Sequence, residues 1–189
     1  MKVQAISKIT AGSVLALACV LLMPAMSASA ATETVNSTIR VHVNSAITVG
    51  VSAATVDINV TPTAAGATAS AAHNVTVGTN NASGYKLQLA SSTAATTLEK
   101  GSDTIPAAAG SFATPAVLTT DTWGYRIDSF AANQYAGITA NTAPVTLKNT
   151  TTPSIAGGDI TAVTWGANVS TATPNGTYTR EVTYTAVTN

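Results

Sequence analysis

Residues 75–89 read VTVGTNNASGYKLQL, and they carry the strongest secondary-structure signal in the chain. On both sides of residues 80–84, apolar residues alternate with polar ones, which is typical of strands with one buried face. Asn and Gly tolerate a positive φ, so residues 80–84 suit a turn. The pattern predicts an antiparallel hairpin, with its first strand at 75–77 and its second at 85–89.

The same alternation recurs in both directions from this hairpin, while helical spacing is nearly absent after residue 30. The further predicted strands are 39–43, 47–51, 56–60, 97–100, 123–127, 145–147, 163–167 and 178–187, although residues 39–60 also fit two strands with a bent connection. Residues 63–72 are small and predict a surface loop, and the weakly patterned residues 91–120 predict a long connection. We therefore predict an all-β fold, a single antiparallel β-sandwich of the Ig-like or Greek-key type with about seven to nine strands over residues 31–189.

Residues 1–30 predict a secretory signal peptide. Lys2 and Lys8 form a basic n-region, residues 9–23 form an apolar h-region, and Ala28 and Ala30 frame a small-x-small cleavage site. Export from the cell is therefore expected, with cleavage after Ala30.

Two other interpretations of this leader stay open. An uncleaved membrane anchor would need about 20 apolar residues, but Pro24 and Ser27 interrupt the run. A lipoprotein signal would use Cys19, although Ala16 stands where such signals usually have Leu. The cleaved signal peptide remains the favoured interpretation.

The charge and cysteine content exclude several classes of function. Loss of Lys2 and Lys8 with the leader leaves six basic and eight acidic residues, for a net charge of −2 with both His neutral. The basic residues are scattered singly, so the chain lacks the stripe that nucleic acid or an anionic membrane attracts. Because Cys19 is the only cysteine, the mature chain forms no disulfide and depends on core burial and backbone pairing.

The inventory of reactive side chains predicts neither an enzyme nor a metal or cofactor site. His42 and His73 are the only histidines, and neither has a second ligand at metal-binding spacing, so both are interpreted as solvated strand residues. The chain contains no Gly-x-Ser-x-Gly motif that would expose a serine nucleophile.

Two structural devices are kept as alternatives. Asp103, Asp121, Asp128 and Asp159 lie in or near predicted loops, where calcium gathers oxygen ligands, although they have neither the spacing of an EF-hand nor the periodicity of a calcium-binding β-roll. Some surface adhesins join a buried Lys to Asn in an isopeptide bond, for which Lys86 is the first candidate. Its neighbours in the alternation place Lys86 on the solvent face, which argues against that bond.

The tripeptide Thr-Trp-Gly occurs at residues 122–124 and again at 164–166. The favoured interpretation is that the two Trp anchor opposite sheets, while each Gly lets a neighbouring backbone approach the indole. The alternative places a Trp in an exposed groove. Trp123, Tyr125 and Trp165, together with the segment 91–120, are the candidate binding surface.

Four segments carry a family resemblance: 79–87, TNNASGYKL; 122–125, TWGY; 174–178, PNGTY; and 182–186, VTYTA. With the leader, they resemble secreted bacterial surface β-sandwich proteins. They are similar to WxL-type cell-wall-associated proteins and, more loosely, to fimbrial or spore-coat-like subunits. Neither Trp begins a Trp-x-Leu motif, so peptidoglycan binding through that motif does not carry over. The fimbrial resemblance implies strand exchange between subunits, although such subunits commonly carry a disulfide.

We therefore predict an exported, non-enzymatic bacterial cell-surface protein with a structural or adhesive role. It would bind or assemble non-covalently through edge strands and loops, with a cell-envelope component, another surface protein, a glycan or a second copy as partner. One alternative is a carbohydrate-binding module that uses exposed aromatics. Another is a subunit of a strand-exchanged polymer, in which residues 34–43 pair with a neighbour's sheet. The favoured interpretation of that segment is the first strand of its own sheet.

Overall fold

The computed structural model describes residues 31–189, and these contain eleven strands and no helix, which confirms the all-β fold class. The strands are β1 (Ile47–Val51), β2 (Ala67–Thr79), β3 (Tyr85–Ser91), β4 (Leu98–Lys100), β5 (Asp103–Ile105), β6 (Ala116–Val117), β7 (Thr122–Ile127), β8 (Gln134–Tyr135), β9 (Val145–Asn149), β10 (Asp159–Val169) and β11 (Val182–Thr188). One compact unit runs from His42 to Asn189, and residues 31–41 lie outside it. None of the described residues forms a helix able to span a bilayer.

Two principal antiparallel sheets make up the fold. The four-stranded sheet has the order β1-β2-β10-β7, and the three-stranded sheet has the order β11-β3-β9. Two short ribbons, β4-β5 and β6-β8, accompany them. The total of eleven strands exceeds the predicted seven to nine, because the two ribbons add four short strands, three of them in the segment predicted as a long connection.

One apolar core draws side chains from both principal sheets, which gives the fold its sandwich-like character. The largest fully buried side chains include Tyr85, Leu87 and Leu89 on β3 and Tyr125 on β7. Burying a side chain of this size contributes about 1.5–3 kcal/mol. The remaining core residues are Val75, Val77, Ile105, Trp123, Ile127, Ala136, Ile138, Leu147, Val163, Trp165 and Ala167.

The predicted hairpin at residues 75–89 is wrong, although both of its strands and its turn are present. The strands β2 and β3 belong to different sheets. β2 is already paired with β1 and β10, and β3 with β11 and β9, so the turn carries the chain from one sheet to the other. Asn81 holds this corner by donating through Nδ2 to Gly84 O at 2.7 Å and to Asn189 O at 3.1 Å.

Two predicted N-terminal strands are also wrong, while β1 is confirmed. Residues 39–43 and 56–60 have no strand pairing. The predicted loop at 63–72 instead contains the beginning of β2, whose register sets Ala71 beside Trp165 and Ala69 beside Ala167. Small side chains suit this half of the strand because the neighbouring indole fills the space that they leave.

The last predicted strand begins later than expected. Thr179 and Glu99 exchange backbone hydrogen bonds, both of 3.0 Å, so the chain pairs with β4 before it joins the three-stranded sheet as β11. The predicted strand at 97–100 is confirmed as β4, which turns back through Gly101 at φ +61° into the unpredicted β5. In contrast, the predicted strand at 163–167 is confirmed and extended to Asp159–Val169.

Candidate functional site

The three aromatic residues predicted as a binding surface lie in the core. Trp123, Tyr125 and Trp165 are each at most 5% exposed, so their rings form no exposed platform. The indoles stack with centroids 5.5 Å apart, and the Tyr125 ring lies 5.8 Å from that of Trp165. Trp123 Nε1 donates to Thr96 O at 3.1 Å. The prediction that the two Trp anchor opposite sheets is wrong, because β7 and β10 are neighbours in one sheet.

The glycines after the two Trp permit close approaches on the opposite face of that sheet. A Cβ on Gly124 would clash with Ala136 O, and one on Gly166 would clash with the Tyr135 ring. The expected backbone approach is therefore present at Gly124, but it is made to the outer face rather than to the indole. The segment carrying Tyr135 and Ala136 covers that part of the sheet, and both residues are buried.

The Tyr125 hydroxyl has no hydrogen-bond partner among the described residues, although its residue is completely buried. Burial also raises the pKa of Tyr125, since the phenolate would be charged in the core. A buried hydroxyl without a partner costs about 1–3 kcal/mol. Aromatic packing, not hydrogen bonding, accounts for this residue's place in the core.

His42 is exposed as predicted, but the interpretation of His73 as a solvated residue is wrong. Its ring lies between the sheets, with Nδ1 3.1 Å from Ala53 O and Nε2 2.7 Å from the Tyr184 hydroxyl. A carbonyl oxygen only accepts, so Nδ1–H donates to Ala53 O, and Nε2 shares the second hydrogen bond with the Tyr184 hydroxyl. Residue 73 has the parity of Val75 and Val77, a signal that could have placed it on the buried face.

The aspartates of the alternative calcium site are held by separate sets of protein groups. Asp121 accepts from Ser170 N at 2.7 Å, Thr173 Oγ1 at 2.8 Å and Ser170 Oγ at 2.9 Å. These hydrogen bonds, chiefly that from the Ser170 amide, lower the pKa of Asp121. Asp103 pairs with Lys100 at 2.9 Å. Within residues 31–189, no three His, Cys, Asp or Glu side chains are grouped so as to hold a metal ion.

Asp159 belongs to a different cluster, at the beginning of β10. Burial acts to raise its pKa, but donation from Ile155 N at 3.2 Å and from the Tyr85 hydroxyl at 3.0 Å, with Lys148 Nζ at 3.5 Å, lowers it overall. Lys86, the isopeptide candidate, is exposed on β3 as its alternation predicts. Both carboxylate clusters therefore tie loops to strands, and this is a structural role.

Residues 34–43 are the most distinctive surface feature of the described chain. They form no strand, and the four large apolar side chains at alternate positions are 80–94% exposed. These side chains are Val35, Ile39, Val41 and Val43. The favoured interpretation of the segment as the first strand of its own sheet is therefore wrong. Among residues 31–189, nothing covers this apolar face.

The two principal sheets differ in how their edges are closed. The outer edge of β7 is bonded, since Tyr125 and Ala136 exchange backbone hydrogen bonds of 2.9 and 2.8 Å. Within the described residues, β1 pairs only with β2, while β11 and β9 pair only with β3. The sequence pattern did not predict the free edge of β11, because a local pattern does not show which strands pair with each other.

Comparison of the chain with family models, curated proteins and solved structures gives no match. Function therefore has to be argued from the chain's own residues. The predicted cleavage-site residues Ala28 and Ala30, and Cys19 of the alternative lipoprotein signal, lie outside the described residues.

Proposed function

We propose that this chain is an exported, non-enzymatic bacterial cell-surface protein that assembles non-covalently by adding residues 34–43 as a strand to a partner's sheet. The observation that carries the proposal is the exposure of Val35, Ile39, Val41 and Val43 without a strand partner. Each large aliphatic side chain left in water forgoes about 1.5–3 kcal/mol. A partner that covers all four would recover much of that free energy.

The alternation of the segment supports a strand in particular. The apolar residues at odd positions alternate with Asn36, Thr38, Arg40 and His42, and Ser37 is the one polar residue at an odd position. A strand would therefore present one apolar and one polar face, while its main-chain groups pair with an exposed sheet edge. Such a segment leaves the polar face in water after docking.

The cellular part of the proposal rests on the sequence. The leader supports export, and a mature chain without cysteine suits a bacterial surface protein. The thin inventory of His and nucleophile motifs supports a structural or adhesive role over catalysis. A carbohydrate-binding module is not favoured, because Trp123, Tyr125 and Trp165 are buried.

The decisive experiment compares two double variants of the chain that begins at Ala31. Ile39→Asp with Val41→Asp places charges on the apolar face, whereas Thr38→Asp with His42→Asp is the matched control on the polar face. We expect size-exclusion chromatography with light scattering to show assembly of the parent and the control, and a folded monomer for the apolar-face variant. Equal assembly by both variants, or a parent that stays monomeric at all concentrations, would overturn the proposal.

A further inference from the structure

We infer that residues 34–43 dock on the free edge of β11 in a second copy of this chain, completing its three-stranded sheet. This inference rests on the proposed function and names the receiving strand. Every copy carries one uncovered donor segment and one free β11 edge, so head-to-tail contacts between identical chains would satisfy both. The symmetry is heterologous, and it leads to an open chain or a closed ring.

The exposure of two core-facing valines indicates where an additional strand would fit. Val49 and Val51 of β1 pair directly with Val77 and Val75, so all four point to the core side of the four-stranded sheet. Val75 and Val77 are fully buried, yet Val49 and Val51 remain 43% and 44% exposed. Among the described residues, β11 is the strand of the facing sheet that lies beside β1, and it leaves these two side chains partly in solvent. A strand added beyond β11 would lie over their side chains.

The chemistry of the free edges favours β11 over β9. Residues 182–188, VTYTAVT, contain no charge and no proline, and all seven pair with β3 without a break in register. The strand β9 carries Lys148, and its register with β3 shifts between Leu87 and Gln88. Charges and bulges are the usual protection of an edge against further pairing, and β11 has neither.

The edge of β1 is free as well, but a strand added there would extend the four-stranded sheet instead of covering its inner face. Val49 and Val51 would then stay exposed. At β11, the donor's apolar face turns inward over these two residues, while its polar face joins the exposed Thr183 and Thr185. Glu181, exposed directly before β11, offers Arg40 an opposite charge.

Disulfide trapping tests the docking site, because the chain that begins at Ala31 has no cysteine of its own. Donor chains with Asn36→Cys, Thr38→Cys or Arg40→Cys are mixed with size-tagged acceptor chains that carry Thr185→Cys. The matched control acceptor carries Thr146→Cys on β9, the other edge strand of the same sheet. Thermal melting of each variant confirms folding before mixing.

We expect at least one donor to give more than about tenfold more mixed disulfide with Thr185→Cys than with Thr146→Cys, because docking raises the effective thiol concentration to the millimolar range. Equal trapping at both positions, or preferential trapping at Thr146→Cys, would overturn the docking site. If the parent still assembles in that case, the proposed function stands and only the receiving strand is wrong.

Hydrogen exchange of the unmodified chain gives a second measurement that needs no cysteine. Amides in 182–188 should exchange at least about tenfold more slowly in the assembled parent than in the monomeric Ile39→Asp, Val41→Asp variant, since docking pairs the free edge. Amides in 145–149 should be unchanged. Protection confined to 145–149 would overturn the inference.

Discussion

Residues 34–43 and residues 56–60 carry the same alternating pattern, and neither forms a strand, yet their surroundings are opposite. The first segment exposes all its large apolar side chains, whereas Val56 and Ile58 of the second pack against the core. The difference shows that an alternating pattern identifies an apolar face that becomes buried. The pattern does not show whether residues of the same chain or of a partner bury that face.

The most direct way to break this comparison is to place the same charge in both segments. Ile58→Asp should lower the free energy of unfolding by about 2–4 kcal/mol, because it brings a carboxylate against the core. Ile39→Asp should change the stability of the dilute monomer by less than about 0.5 kcal/mol. Urea denaturation measures both, with Asn59→Asp as the control at an exposed position next to Ile58. Comparable losses at 39 and 58 would show that residues 34–43 pack within their own chain.

Variants of the two histidines, His73 and His42, extend the comparison to the beginning of the second segment. His73 donates to Ala53 O and shares a hydrogen bond with the Tyr184 hydroxyl, so it ties the chain just before residues 56–60 to both sheets. His73→Ala should cost about 1.5–3 kcal/mol of stability, because it leaves buried polar groups unpaired. His42→Ala, at an exposed position, is the control and should be neutral in the same thermal and urea melts. A neutral His73→Ala would contradict the role of this tie.

The same contrast between partnered and unpartnered groups holds for two buried hydroxyls. Tyr85→Phe removes the hydrogen bond to Asp159 and should destabilise the fold by about 1–2 kcal/mol. Tyr125→Phe removes a hydroxyl that has no partner among the described residues, so it should be neutral or stabilising by up to about 1 kcal/mol. Paired denaturation curves measure both changes. Equal destabilisation by the two variants would indicate a partner for the Tyr125 hydroxyl.

The smallest expected effect is the acid dependence of the compact unit. Asp121 and Asp159 have lowered pKa values in the folded protein, so their stabilising contribution is present above the unfolded pKa of about 3.9 and is lost as pH falls through the folded values. The free energy of unfolding should therefore become smaller as the pH falls below about 4. Asp121→Asn should make that decrease shallower, whereas Asp128→Asn, at an exposed carboxylate, should not. Identical slopes for both variants would contradict the assignment.

Local sequence patterns were sufficient for much of the secondary structure. The strands at 47–51, 123–127, 145–147 and 163–167 are present because period-two alternation places every second side chain on one face. The turn at 80–84 was also predictable from its Asn and Gly residues. The assignment of β2 and β3 to one hairpin failed, because two strands joined by a short turn can each find better partners far along the chain.

The alternative prediction of an exposed aromatic binding surface was wrong for a related reason. Trp123, Tyr125 and Trp165 were correctly placed on strands, but their burial depends on the facing sheet and on the pairing of β7 with β10. His73 shows the opposite case. Its parity with Val75 pointed to the core, and only its polar character suggested solvent.

The amino-acid sequence by itself determined the all-β class, the turn at 80–84 and the faces of most strands, since these follow from steric preferences and from the spacing of neighbouring side chains. The tertiary structure alone decided which edges meet, which aromatic rings are buried and which apolar face stays uncovered. Those outcomes depend on contacts between residues far apart in the chain, as when β2 pairs with β10 and leaves β3 to the other sheet. The exposed segment at 34–43 and the free edge of β11 are both products of that long-range choice.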